Sequence, residues 1–498
     1  MFKQISEKFP ADPDYPTRVN TLLLFKRVLE GTIYDNHDYS FLQEKDPYNG
    51  QRIPLRDRAP YIRYNLSKIV VEHSASLVFS DSLFPVVYTE DKSTRELFKN
   101  LVKDCDLSQI MFEAVIKGSI GSAAIRMRVF KSSPHFDLLD VEYCTPVWRK
   151  DAPDTLLKVI SKRKYLGRDL AAEGYDIDKD DLDNSFWLQC IWCDKAETWF
   201  NPVKCTIDKK LQIFTPDKDR SYNHQIGVVP IVWIKNLRTQ NTIDGICTFE
   251  AAINNQILIE YMLSQVARSH MYNSDPLIHI AGTLEAEMGD APKPQNQSVI
   301  ETPPDTTVNL LELKGTASDA VLQFVTTARD LAIESIRGNR LNPDKVNQGE
   351  ISGRAIEMSL GPLLLLCNNL RNSYGERGLL PLIQLIIAAS KNTLIKIRGQ
   401  ALSFEDSMHL TLKWPDYFSK TPYDRNQDAQ TFQLLTKANL ISEETALRYM
   451  AMDYDIEDVE AEIVRINAER DQRIKEQVQL KTMSLVNNNN DGQNSSNP

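Results

Sequence analysis

Residues 243–271 read IDGICTFEAAINNQILIEYMLSQVARSHM, without proline and with one glycine, Gly245, near the start. Ile246, Phe249, Ile253, Ile257 and Tyr261 recur at helical spacing, so the stretch is predicted to be a strut. Roughly 25 such residues span about 37 Å at 1.5 Å each. A second helix is predicted at TASDAVLQFVTTARDLAIESIRG, residues 316–338, where Thr316 and Asp319 suit a capping box and Val321, Phe324, Val325, Ala328, Leu331 and Ala332 form the apolar stripe. Between them, PLIHIAG and VNLLELK read as strands flanking a proline-rich polar loop. From Asp275 to Gly315 that insert holds seven acidic residues and two lysines, so its surface is expected to be negative. The two helices can form an antiparallel pair carrying an acidic module at one end.

Upstream, Leu66, Ile69, Val70, His73 and Leu77 recur at helical spacing and predict a buried face, with His73 as a core histidine. A further helix is expected over 94–117. It runs into GSIGSAAIRMRVF, where Gly118 and Gly121 precede a strand. No GKS or GKT follows, and the order helix, glycines, strand reverses that of a phosphate-binding loop, so a tight turn is expected. Residues 123–240 read as mainly β, in short alternating runs.

Downstream, GNRLNPDKVNQGE breaks the periodicity and describes a polar loop of a length that is often functional. The helical stretch from ISGRAIEM through LLPLIQLIIAASKN should be kinked or split at Pro362 and Pro381, each of which lacks a backbone donor. Helix starts are expected at Thr421 and Ile441. Asp453 to Lys481 is densely charged, with a thin stripe of Ile456, Val459, Ile463 and Ile466, and NNNNDGQNSSNP reads as a disordered tail.

The chain has 498 residues, enough for two to four structural units and a sizeable core. Its 58 basic and 68 acidic residues give −10, which argues against gripping nucleic acid by blanket phosphate neutralisation but leaves room for DNA that must stay mobile. Three prolines and several charges near the start disfavour a secretory signal, and the longest apolar runs are too short to span a bilayer. Seven irregularly spaced cysteines suit a reducing compartment. Cys190, Cys193, Cys205 and His224 are the strongest metal candidates, but FWLQCIWC reads as a strand that would turn the first two cysteines to opposite faces, so structural thiols are expected. HExxH, GxSxG, Walker A and GxGxxG are absent. No catalytic residue, metal or cofactor is assigned.

In the order of its elements the chain resembles the portal protein of tailed double-stranded DNA bacteriophages, of the siphophage type. GSIGSAAIRMRV with FDLLDVEYCTPVWR is similar to that family's wing sheet. Residues 243–282 look like its first stem helix entering the clip, ISGRAIEMSLGPL like the start of its long wing helix, and ANLISEETALRYMAMDYDIEDVEAEIVRINAER like its crown.

The resemblance implies an α+β fold with a wing at 1–242, stem helices at 243–271 and 316–336, a clip at 272–315 and a tunnel loop at 337–351. The wing's long helix and closing strands would occupy 352–421, a crown 422–486 and a disordered tail 487–498. It implies a ring, typically of twelve copies, at one capsid vertex, through which DNA is packaged and ejected. The implied partners are further copies of the chain, double-stranded DNA, the large terminase, the major capsid and scaffolding proteins and a head-completion adaptor, with assembly in the host cytoplasm and no membrane. Arg337, Asn339, Arg340, Lys345, Asn347 and Arg354 are the candidate DNA-facing residues, a modest cationic collar when repeated around a ring. Glu285, Glu287, Asp290, Glu301 and Asp305 are the candidates for adaptor docking. The rival readings are another virion connector or tail adaptor, and a metal-dependent enzyme built on the cysteine cluster.

Overall fold

Helix α1, Thr17–Glu30, starts after Pro16 and ends at Gly31, whose left-handed φ of 75° caps it. It is part of the main core: Leu22, Phe25, Val28 and Leu29 are buried with residues from much later in the chain, among them Trp233, Phe249 and Ile253. Arg18 ties it to Asp244 at 2.5 and 2.9 Å and to the Cys144 carbonyl at 2.8 Å. The computed structural model describes residues 7, 11–152, 155–205, 213–240, 242–273, 277–281, 307–311, 316–338, 358, 360–402, 408–418, 422–451, 456 and 459–491. The chain divides into two compact units, Met1–Arg340 with Leu360–Tyr417, and Leu341–Ser359 with Phe418–Pro498.

In the first unit, α2 (Leu66–Phe79) is capped by the Asn65 side chain, which accepts from the Lys68 amide. Its fully buried face is centred on Val70, Val71, Ser74 and Val78, whereas Ile69, His73 and Leu77 are only half-buried. Helices packed on more than one side turn the buried face away from the predicted stripe. Helices α3 (Lys92–Asp104) and α4 (Leu107–Gly118) follow, and the Gly118–Gly121 pair is the expected turn, closed by the Gly121 amide on the Gly118 carbonyl at 2.8 Å.

The turn feeds β1 (Ser122–Phe130), which lies between β2 (Ser133–Leu139) and a later strand, Ile231–Lys235, in an antiparallel three-stranded sheet. A second antiparallel sheet runs in the order Tyr222–Asn223, Ala196–Trp199, Ser185–Trp192, Leu156–Leu166, Cys144–Trp148, with Val203–Lys204 paired to Ser185–Trp192. The β-rich reading of 123–240 therefore holds.

Helix α5 (Ile253–Asn273) follows a single 3-10 turn, Glu250–Ala252, and so starts well after Ile243. The main chain before it is committed elsewhere. The amides of Asn236 and Gly245 share the Gly121 carbonyl at 2.9 Å each, Ile246 donates to Leu237, and Thr248 donates to Ser119. A Cβ on Gly245 would lie 2.8 Å from the Leu237 carbonyl oxygen, so only glycine permits this approach.

Helix α6 (Thr316–Ser335) runs back along α5. Ile259 clusters with Val325 and Ala328, while Ala252 clusters with Ala332, Ile333 and Ile336, so one numbering rises as the other falls and the pair is antiparallel. Between them Leu277–Ala281 and Thr307–Leu311 form an antiparallel hairpin. Phe324 and Leu331, counted in the predicted stripe, are 48% and 57% exposed.

The long apolar helix begins at Pro362, where the sequence predicts an interruption, and is not split at Pro381. Pro362 lies in the first turn of α7 (Gly361–Leu370), where a missing donor costs nothing, and a π-helical segment, Arg371–Leu379, leads into α8 (Leu380–Asn392). The Leu380 amide reaches back five residues to the Gly375 carbonyl, so the wider turn sits immediately before Pro381.

The second unit contains α9 (Pro422–Lys437), α10 (Glu443–Ala451) and α11 (Val459–Asp491). Ser442 caps α10 through the Thr445 amide, Phe432 stacks on Tyr449, and Arg470 bonds Glu443 at 2.8 Å. Helix α11 carries through Asn487–Asp491, where the polar composition predicts a disordered tail. Asparagine costs only a few tenths of a kcal/mol per helical position, too little to end a helix. Residues 492–498 lie outside those described.

Candidate functional site

The end of α6 is set by packing. Ile336 is 4% exposed, and a Cβ on Gly338 would lie 2.8 Å from the Val70 methyls, so the chain is pressed against α2 there. Between those two anchors Arg337 adopts a left-handed φ of 57° and its side chain is exposed. It opens onto a cleft of about 720 Å³ whose lining includes Arg238, Ile246, Glu250, Arg337, Asn372 and Arg377. Among the described residues of its lining, three arginines from three separate segments stand with one glutamate.

One wall of the cleft is the π-helical segment. Its Tyr374 is fully buried and donates to Asn236 Oδ1 at 3.1 Å, while Asn236 Nδ2 donates to the Ile246 carbonyl and Thr248 Oγ1, both at 2.8 Å. This chain of bonds fixes the π segment against residues 246–248, which form the opposite lip. Arg371 lies over the Tyr417 and Trp414 rings at 3.6 and 4.8 Å, and burial pulls its pKa down. Trp414 in turn packs on Gly375.

Helix α5 is held by a polar cluster. Glu260 is 2% exposed and accepts from Tyr34 Oη at 2.5 Å and from Gln256 Nε2 at 3.2 Å. Gln256 Oε1 accepts from the Ser67 amide and hydroxyl, linking α5 to α2. Burial pushes Glu260 up to about 7, outweighing the hydrogen bonds from Tyr34 and Gln256 that favour its charged form.

Of the residues singled out in the sequence, Arg337 lies in the arginine cleft. Asn339, Arg340, Lys345, Asn347 and Arg354 lie outside the described residues, as do Glu285, Glu287, Asp290, Glu301 and Asp305. Arg238 and Arg377 were missed because nothing local marks them; only the fold brings them to Arg337.

At the cysteine cluster, His224 Nε2 lies 2.9 Å from the Cys193 carbonyl and Nδ1 accepts from the Ile226 amide at 3.1 Å, so the main chain engages both nitrogens. Cys190 is buried in the main core, and burial pushes the thiols of Cys190 and Cys205 up, away from the thiolate a metal needs. Among the described residues His, Cys, Asp and Glu form no group of three suited to a metal ion.

A family model, phage portal protein, SPP1 Gp6-like, matches residues 11–476. The chain belongs to the phage portal protein family. That match includes α1, in agreement with the packing of α1 into the main core. No individually curated protein matches the chain. As a portal protein it is a structural head-to-tail connector by family, and no helix among its described residues is long and apolar enough to cross a membrane.

Proposed function

We propose that this portal protein closes into a ring of twelve copies at one capsid vertex and serves as the conduit for DNA packaging and ejection. The observation that carries the reading is the family match over 11–476, and the antiparallel α5–α6 pair with its hairpin supports it. In this reading residues 243–271 and 316–336 are the stem, 272–315 the clip, 337–351 the tunnel loop and 422–486 the crown. The wing comprises 1–242 with 352–421.

An excess of ten negative charges per copy disfavours lasting phosphate contacts along the passage, and a duplex that must move needs contacts that are weak and repeated. Arg340, Lys345 and Arg354, repeated around the ring, supply such contacts, whereas Arg337, grouped with them in the sequence, opens onto the arginine cleft. The clip carboxylates at Glu285, Glu287, Asp290, Glu301 and Asp305 offer a charged surface to the head-completion adaptor. The large terminase docks on the ring and supplies ATP hydrolysis, while scaffolding and major capsid proteins incorporate the ring during assembly in the host cytoplasm.

Two measurements test this. Labelling the chain in intact particles should mark a single vertex, and label spread over all vertices or confined to the tail would refute the reading. The purified protein should show no ATP turnover of its own; stoichiometric turnover would contradict its role as a passive conduit.

A further inference from the structure

Among the described residues that line it, the arginine cleft carries three arginines and one glutamate, so its local sign opposes the −10 of the whole chain. A closed ring joins two different patches of the same chain at every contact, because a head-to-tail interface is heterologous. Such an interface gains specificity where a basic patch meets an acidic one. The cleft is also not purely polar: Ile246, on its lip, is 49% exposed. Arginine beside an apolar anchor is the composition of an interface core rather than of a solvated surface.

The apolar character continues outside the cleft. Phe324, Leu331 and Ser335 lie at helical spacing on α6, and Ser335 lines the cleft, so the exposed stripe leads into it. A volume of about 720 Å³ accommodates a few side chains and is too narrow for a duplex. Its walls are firm, since the Tyr374–Asn236 bonds fix the π segment to the opposite lip.

We propose that the cleft containing Arg238, Arg337 and Arg377 is the receiving half of the subunit contact, seating a carboxylate-bearing segment of the neighbouring copy. The inference rests on the ring reading and adds to it a place and a chemistry for the joint. Arg337 and Arg377 grip the incoming carboxylates, Ile246 gives apolar contact, and the α6 stripe extends the buried area.

The test uses the full-length chain. Native mass spectrometry and sedimentation should show the wild type as rings whose half-assembly concentration rises with salt. The double variant R337E/R377E should keep the wild-type circular dichroism and need at least ten-fold more protein to assemble. Unchanged assembly and salt response would overturn the proposal while leaving the ring intact. Intact rings that no longer retain duplex DNA would also overturn it, assigning the cleft to phosphates.

A gentler variant covers the case in which charge reversal unfolds the subunit. R377K keeps the charge and adds an amine that a zero-length carboxyl–amine coupling reagent can join to a nearby acid. A cross-link from position 377 to an acid of another copy is expected, and coupling only to Glu250 of the same chain would refute the proposal. A wild type that forms no ring at any concentration overturns the ring reading, and this inference with it.

Discussion

The long helix through α7, the π segment and α8 is as apolar as α6, yet the two finish their packing differently. Leu363, Leu366, Leu370, Tyr374, Leu379, Leu382, Ile383 and Ile386 are each no more than 2% exposed. Helix α6 buries Val325, Ala328, Ala332 and Ile333 and leaves Phe324 and Leu331 largely in solvent. Apart from Leu365, which is 51% exposed, the long helix buries its large apolar side chains, wholly or partly, within its own chain. The other is satisfied on the face it turns to α5 and α2, and the ring reading gives the remaining face to a neighbouring copy. On that reading, exposed apolar side chains in ordered helices are an assembly feature rather than a packing defect.

The sharpest way to break this comparison is Tyr374→Ala. It empties a fully buried aromatic site and removes a partner of Asn236, so subunit stability in urea should fall by about 3 to 5 kcal/mol. A loss below about 1 kcal/mol would mean that the long helix is not the fixed element described.

Next in size is the proton on Glu260. Its carboxyl sits at about 7 in the folded chain against an ordinary 4.5, so between those values the folded state holds more protons than the unfolded one. Stability conferred by the neutral carboxyl is therefore full below about pH 4.5, is lost as pH rises towards 7, and changes little beyond. The groups facing it are Tyr34, Gln256 and the more distant Arg63, which ion-pairs with Asp35 at 2.9 Å. The full shift corresponds to about 3 kcal/mol. Glu260→Gln should flatten that part of the pH–stability profile, and an unchanged slope would show that another group sets it.

Gly378→Ala should cost about 1 to 3 kcal/mol by overpacking, because the added Cβ would meet Ile234 Cδ1 at 2.7 Å. The smallest effect belongs to the open side of the comparison. Phe324→Ser with Leu331→Ser should change subunit stability in urea by no more than about 0.5 kcal/mol per site while weakening assembly. A large loss of subunit stability would place those residues in the chain's own core.

Local periodicity was enough to read α6, the Gly118–Gly121 turn and the strand runs of 123–240. It failed where distant main chain competes for the same donors. Residues 246–249 carry a helical stripe, but the carbonyls of Leu237 and Ser119 take the amides of Ile246 and Thr248 and keep the stretch out of the helix. At Pro381 the sequence leaves kink or split open, and the helix is continuous there, with a π-helical segment leading into the turn that holds the proline. The arginine cleft could be read only in part. Arg337 stands out beside a polar loop, whereas Arg238 and Arg377, 99 and 40 residues away in the chain, reach it only through the fold. The part played by α1 was also hidden, because its anchor Arg18 finds Asp244 more than two hundred residues along the chain.

Electron-microscope class averages of the purified full-length protein bear most directly on the central claim. Axial views with rotational symmetry near twelve-fold around an open hole are predicted. Solitary subunits at every concentration, or closed particles with no axial opening, would contradict it.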